Sequence, residues 1–259
     1  MSNFEGKQYH QTAILQFHLA QQLLNNYSSH FSDINTILDI GCGDGAVTSQ
    51  LKQFYPHSSI EGIDPSSSMI NFANEHYATP ELQFRQGAVE SLNEKNKYDL
   101  IVSFSVLQWT ILDKAFIQIA QALKPERNCL LMYYPCNDLI WMPVDNVCRK
   151  ESWKKYFENY KHQYHFYDID DSIILAKMAG LEVIHAASPW FQLPLKDLAA
   201  YENSLSSYLP HLSILPDLDL KKQFLAEISD EFKLFSHKNA DGFWILPGRT
   251  IEIIARSNK

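Results

Sequence analysis

From residue 36 onward, short runs of mostly apolar residues alternate with longer stretches in which apolar positions recur every three or four. "TILDI" (36–40), "SIEGID" (59–64), "LQFRQG" (82–87), "YDLIVSFSV" (98–106) and "CLLMYY" (129–134) are of the first kind and predict strands. "AVTSQLKQFY" (46–55), "SSSMINFANEHY" (66–77) and "DKAFIQIAQALK" (113–124) are of the second kind and predict helices, with Ser66 as an N-cap. Ahead of them, "QTAILQFHLAQQLLNNY" (11–27) sets Ile14, Phe17, Leu23 and Leu24 at helical intervals. Further on, a helix over 170–180 ends at Gly180, and strands follow at 181–188 and 249–257.

Strands and helices alternating at this spacing form βαβ units, hence a parallel sheet covered on both faces. The prediction is an α/β fold: one Rossmann-like domain with seven mostly parallel strands. The stretches 137–168 (irregular) and 194–240 (helical) read as a cap over the carboxyl edge of the sheet, where open α/β folds bind ligands. The core then covers about 30–135, 170–188 and 248–257, and the cap about 1–29, 137–169 and 190–247. Aromatic residues concentrate in the cap, and Trp141, Trp153, Phe157, Trp190, Tyr201 and Trp244 are expected to line or pack it.

Charge narrows the function classes. A formal charge of −8 with no Lys/Arg cluster argues against a general affinity for nucleic acid or anionic membranes, which need a basic face. The four cysteines (Cys42, Cys129, Cys136 and Cys148) contain no C-x-x-C pair, so free thiols are expected and no metal site. "MSNFEGKQYHQ" lacks the apolar core of a signal peptide, and no apolar run reaches the ~18 residues of a spanning helix. A soluble, cytoplasmic protein is the expectation.

The candidate chemistry starts at "ILDIGCGDGA" (37–46), a strand–glycine turn–helix. Such a turn sets backbone N–H groups and a helix amino end beside a ligand, and glycine allows both the φ > 0 turn and the close approach. The dinucleotide fingerprint is G-x-G-x-x-G, whereas these glycines fall at 41, 43 and 45. Asp39 lies two residues before the first glycine, where a carboxylate favours an amine-bearing ligand over an anion. Asp64, 25 residues beyond Asp39, ends the second strand at the position where an acid can accept ribose hydroxyls.

"ILDIGCGDGAVTSQL", "IEGIDPSSSMINFA", "YDLIVSFSVLQW" and "ALKP" together resemble the class I S-adenosylmethionine-dependent methyltransferases, over residues 30 to 135 above all. Within that superfamily, "SVLQW" (105–109) and "YHQTAILQ" (9–16) resemble the branch that methylates small carboxylic acids. That branch includes the trans-aconitate, malonyl-carrier-protein and juvenile hormone acid methyltransferases, and residues 153–184 resemble the last of these most. The resemblance implies S-adenosylmethionine as cofactor and S-adenosylhomocysteine as product. Asp39, Gly41, Cys42, Gly43 and Gly45 would surround the methionine part, and Asp64 would bind the ribose hydroxyls. Pro65 and Met69 would pack near the adenine, with Ala88 and Val89 facing its edge. Many relatives carry an acid where this chain has Ala88, which leaves the backbone around Val89 as reader of the adenine amine. "LKPERN" replaces the commoner "LKPGG" and is expected to alter only the turn at Pro125 to Asn128.

Methyl transfer from a sulfonium is an in-line displacement, and a carboxylate acceptor, with a reference pKa near ~4, is already ionised at neutral pH. No general base is required, so alignment in a dry cavity is the main demand. Ser105, Gln108 and Trp109 follow the fourth strand where acceptor and methyl group would meet, Ser105 on the cofactor side. Tyr9 and Gln16 are candidates for a lid over the cofactor. Arg149 is the candidate cation for the acceptor carboxylate, and His162 and His165 are candidate bases for a hydroxyl or amine acceptor. The expected partner is a small acid, free or bound to a carrier protein. The alternatives are a hydroxyl or amine acceptor, or cofactor binding without transfer.

Overall fold

The computed structural model describes residues 9, 10, 12–135, 139–165 and 167–258. Seven strands form one sheet: β1 (Thr36–Ile40), β2 (Ser59–Asp64), β3 (Leu82–Gln86), β4 (Tyr98–Phe104), β5 (Leu123–Tyr133), β6 (Leu181–Ala187) and the last, Ile251–Ser257. Their order is β3-β2-β1-β4-β5, then Ile251–Ser257, then β6, with the final strand antiparallel to both neighbours. The remaining neighbouring pairs are parallel. Every residue of β4 is buried, as its mostly apolar run requires of a central strand. Neighbouring residues in a strand point to opposite faces. Ile37, Leu100 and Leu130 accordingly join one core cluster, and Leu38, Ile101 and Leu131 join the other.

The helices that cover these faces are α1 (Ile14–Tyr27), α2 (Ala46–Phe54), α3 (Ser67–Tyr77), α4 (Leu112–Ala122) and, later, Ile169–Met178. Ser66 caps α3 by accepting the Met69 N–H at 3.4 Å. Gly180, at φ +87°, ends the helix Ile169–Met178 in the left-handed conformation that glycine adopts without strain. Because β2 lies on one side of β1 and β4 on the other, successive crossovers leave β1 in opposite directions. A crevice opens where the strand order reverses, outside the carboxyl ends of β1 and β4.

Two departures from the sequence reading concern the strands. β5 starts at Leu123, six residues earlier than expected, because "LKPERN" runs as strand around a bulge and not as a turn. Between Tyr98↔Leu123 and Leu100↔Asn128, β4 advances two residues and β5 five, and Glu126 takes φ +60°. The second departure is in the cap, which contains a strand pair as well as helices. β7 (Trp190–Leu195) pairs antiparallel with β8 (Trp244–Arg249), so that the strand Ile251–Ser257 is β9. Pro194, Pro247 and Gly248 argue against strands in a sequence, but a two-stranded ribbon is all edge and tolerates them. Gly248 is required there, because a Cβ would stand 2.4 Å from the Phe191 ring opposite.

The rest of the cap is helical: α5 (Met142–Cys148), α6 (Glu151–Phe157), α8 (Leu198–Tyr208) and α9 (Leu218–Phe235), with Ile169–Met178 as α7. The stretch expected to be irregular therefore holds α5 and α6. Trp153, Phe157 and Tyr201 are buried in the cap core, and Trp244 packs against it. Trp190 does neither: it is 62% exposed, its ring under Arg249 at 5.3 Å. Among the described residues no helix is long and apolar enough to cross a membrane.

Candidate functional site

The glycine turn after β1 is held by β2. The Ile63 carbonyl accepts the N–H groups of Gly41 (2.7 Å) and Cys42 (2.9 Å), so the turn cannot lift from the sheet. Gly41 (φ +74°), Gly43 (φ +55°) and Gly45 (φ +84°) are all left-handed. Gly41 has a second constraint, since a Cβ would stand 2.2 Å from Cγ2 of Val106, two residues beyond β4 across the crevice. Ser105, also left-handed at φ +61°, turns the chain so that Val106 comes in over the glycine.

Three carboxylates surround the turn. Asp64, partly buried, accepts the Gly43 N–H on Oδ2 (3.1 Å) and the Ser66 N–H on Oδ1 (2.8 Å). Burial raises its pKa, and those two hydrogen bonds oppose the rise. Asp39 is buried at the end of β1, where Thr48 donates its hydroxyl to Oδ2 at 2.6 Å. Burial lifts its pKa to about 7, with the Thr48 hydrogen bond opposing and the Asp64 charge adding to the rise. Asp44, between the second and third glycines, accepts the Ala46 N–H on Oδ1 (3.1 Å) and lies 2.7 Å from His10 Nδ1 through Oδ2.

Two adjoining cavities, of about 190 and about 500 Å³, share Tyr9, Gln16, Gly41, Gly43 and Phe104. Asp39, Cys42 and Asp44 line the second only. Asp64, Pro65, Met69 and Ala88 line one side of the first, and Ser105, Gln108 and Trp109 another. Tyr9 and Gln16 thus stand over the glycine turn, on the wall common to both cavities. The Tyr9 ring lies 3.6 Å from where a Gly43 Cβ would be, and burial followed by the Asp44 charge pushes its hydroxyl pKa up.

The far wall of the first cavity is aromatic. Trp109 and Trp141 flank the Tyr164 ring at 4.1 and 4.4 Å, and Tyr208 meets Trp141 edge-on at 5.7 Å. The Tyr164 hydroxyl donates to the Tyr208 carbonyl at 2.8 Å. Ser105 Oγ donates to the Tyr134 hydroxyl at 3.2 Å, and Gln108 Nε2 donates to the Ser105 carbonyl at 2.8 Å. That last bond fixes the Gln108 amide, whose buried Oε1 has no hydrogen-bond partner among the described residues. None of the described residues lining this cavity is Lys, Arg, His or Cys.

Five residues named from the sequence stand elsewhere. Gly45 lines neither cavity and begins α2 behind the turn, leaving room for the Phe84 ring and Ala73 Cβ, which a Cβ would meet at 2.9 Å. The Val89 side chain is buried in the second core cluster, facing away from the cavities. Glu90, one residue on, lines the first cavity, so an acid does stand on that wall despite Ala88. Arg149 and His162 line a separate crevice of the cap. His165 is exposed and donates its backbone N–H to the Gln108 carbonyl at 2.7 Å. The sequence reading missed Tyr134, Tyr164 and Tyr208. Only Tyr134 left a signal, lying at the carboxyl end of a central strand.

Residues 37–126 match the family described as "Methyltransferase domain". Residues 37–126 are a methyltransferase domain. A methyltransferase-like protein of Invertebrate iridescent virus 6, 235L, is 27% identical over 201 residues, 77% of this chain and 75% of the relative. The malonyl-[acyl-carrier protein] O-methyltransferase of Priestia megaterium is 33% identical over 130 residues, 49% of this chain and 47% of its own length. The juvenile hormone acid O-methyltransferase of Bombyx mori is 29% identical over 138 residues, 50% and 49% of the two chains. The match thus spans about half the length of these two O-methyltransferases. Among solved structures, phosphoethanolamine N-methyltransferase 2 of Haemonchus contortus superposes with a TM-score of 0.61 at 17% identity. That superposition covers 93% of this chain and 53% of the other, and establishes the methyltransferase fold.

Proposed function

We propose that the domain binds S-adenosylmethionine at the glycine turn and methylates the carboxylate of a small acid, free or carried on an acyl carrier protein. The turn suits such a cofactor. Its backbone lies bare at Gly41 and Gly43, Asp64 stands beside it as an oriented acceptor for ribose hydroxyls, and Asp39 offers a carboxylate to an ammonium group. Met69, Pro65 and Glu90 would hold the adenine, Glu90 standing where the amine has an acceptor to find. When bound, the cofactor supplies an electrophilic methyl group on a sulfonium.

The chain's own part is alignment and exclusion of water. The observation that carries the acceptor reading is the wall formed by Ser105, Gln108, Trp109 and Tyr134, beside the turn and under two further aromatic rings, Trp141 and Tyr164. An ionised carboxylate needs no base there, and removing water from two opposite charges that neutralise each other favours the transition state. The indole of Trp109 presents a π-face to a cation, and the Ser105–Tyr134 hydroxyl pair puts polar groups on the same wall for an acceptor oxygen. The two O-methyltransferases among the relatives act, by their names, on acids, which supports the same acceptor class.

One observation favours a second reading. Gln108 Oε1 is a buried acceptor on this wall, and a substrate amine would donate to it. A labelled methyl-transfer screen over fatty, isoprenoid, aconitate-like and carrier-bound acids, run beside amines, decides between them. Base-labile product identifies an ester, and base-stable product with amines alone overturns the carboxylate reading.

A further inference from the structure

Arg149 and His162 meet in a cap crevice of about 330 Å³, apart from the glycine-turn cavities. Its floor is His211, 1% exposed, whose ring lies 4.3 Å from that of Tyr160 and 5.6 Å from that of Phe157. Burial, then the nearby His162, hold the His211 pKa down to about 3, so the imidazole is neutral at any physiological pH. Neither His211 Nδ1 nor the Tyr160 hydroxyl, both buried atoms of residues lining the crevice, has a hydrogen-bond partner among the described residues. Buried polar atoms are almost always paired, and two adjoining exceptions on one crevice point to a ligand.

The charges on the rim say what kind. Lys154 pairs with Glu151 at 3.3 Å, and His162 stands 3.9 Å from Asp145. Arg149, exposed beside them, makes no ion pair with a described residue; burial raises the Asp145 carboxyl pKa, and the charges of His162 and then Arg149 oppose that rise. A lone guanidinium is a two-pronged donor for a carboxylate. A phosphate dianion is disfavoured, because Asp145 and Glu158 share the rim. Phe157 and Tyr160 supply a surface for hydrocarbon.

We propose that this crevice is a second ligand site that takes a small carboxylic acid. Its carboxylate lies on Arg149 and its hydrocarbon on Phe157, and a small turn of the Tyr160 and His211 rings brings Tyr160 Oη and His211 Nδ1, closed to solvent as the rings stand, to its other polar atoms. Both walls are joined along the chain to residues of the aromatic cavity. Tyr160 and His162 lead to Tyr164, which is tied to Tyr208, and to His165, which is tied to Gln108. His211 stands three residues beyond Tyr208. Occupancy is therefore felt at the acceptor wall.

Calorimetry of the full chain with S-adenosylhomocysteine present, using benzoate and inorganic phosphate as probes, tests the site. Benzoate should bind the wild type, bind at least tenfold more weakly to Arg149→Gln, and still bind Trp109→Ala, which alters the other cavity. His211→Phe fills the floor without its polar atoms and should weaken benzoate binding with an unchanged melting temperature. Benzoate should shift the KM for the methyl acceptor in the wild type and not in Arg149→Gln. The proposal is overturned by no benzoate binding, by binding that survives Arg149→Gln or vanishes with Trp109→Ala, by phosphate binding equally well, or by an unmoved KM.

Discussion

The backbone N–H of Gly43 donates to Asp64 Oδ2 at 3.1 Å, so the glycine turn after β1 and the acid that closes β2 form one rigid unit. Asp64→Ala removes this tie and the ribose acceptor together. With charge-assisted hydrogen bonds contributing about 1.5–3 kcal/mol each, cofactor affinity should fall tenfold or more. Asp64→Asn, which keeps one carbonyl oxygen, should fall between. Titration calorimetry with S-adenosylmethionine reads both, and unchanged affinity would remove Asp64 from the site.

Asp39 makes binding pH-dependent. Its pKa of about 7 in the cofactor-free protein means that half the molecules are neutral near pH 7. A cationic ligand favours the ionised form, so affinity should rise with pH up to about 7 and then level off, by at most tenfold per unit. Binding near pH 6 should release a proton, visible as a buffer-dependent enthalpy, and Asp39→Asn should abolish both effects. The same raised pKa acts on stability in the opposite sense. Between the unfolded value near 3.8 and about 7 the folded state binds more protons, so this group's contribution declines as pH rises through that window.

Gly41 is fixed by two independent constraints, its φ of +74° and the Val106 side chain. Gly41→Ala should lower the melting temperature, at a cost of about 1–3 kcal/mol from the backbone alone, and weaken cofactor binding. Adding Val106→Ala removes the clash and leaves the φ strain, so the double variant should recover part of the loss. A double variant no better than the single one would place the cost wholly in the backbone.

His10 ties the segment bearing Tyr9 to the turn through Asp44 Oδ2 at 2.7 Å, and its ring lies 5.2 Å from that of Phe72. His10→Ala should speed S-adenosylhomocysteine release severalfold, measured by stopped-flow fluorescence, with little change in melting temperature. Release at the wild-type rate would show that Tyr9 stays in place without the tie.

Trp109 is only partly buried and packs tilted against Tyr164, ring centroids 4.1 Å apart. Trp109→Ala should reduce turnover or raise the acceptor KM at least tenfold, with cofactor affinity changed far less. A variant that loses turnover by unfolding would assign the indole to the core.

Local chemistry made much of this molecule legible. The strand β4, apolar at nearly every position, the Ser66 cap and the three glycines each follow from the conformational preferences of a few neighbouring residues, and these occur where the sequence puts them. The ribbon β7–β8 was not legible. Its partners lie about fifty residues apart, and Pro194 and Pro247 speak against a strand until an edge position makes them harmless. Arg149 shows the same limit at the site. Nearness in sequence to the fifth strand suggested the acceptor wall, but α5 carries it to another crevice.

The sequence by itself determined the sheet, the glycine turn and the two acids, Asp39 and Asp64, that flank it, because βαβ units build a site from the ends of consecutive strands. Only the tertiary structure decided what faces that site across the crevice. Tyr134, Trp141, Tyr164 and Tyr208 come from four separate segments, and their convergence is set by how the cap packs on the sheet. Packing also moved the Val89 side chain into the core and put Glu90 on the wall, since one step along the 3-10 turn Val89–Ser91 swings a side chain by about a third of a revolution.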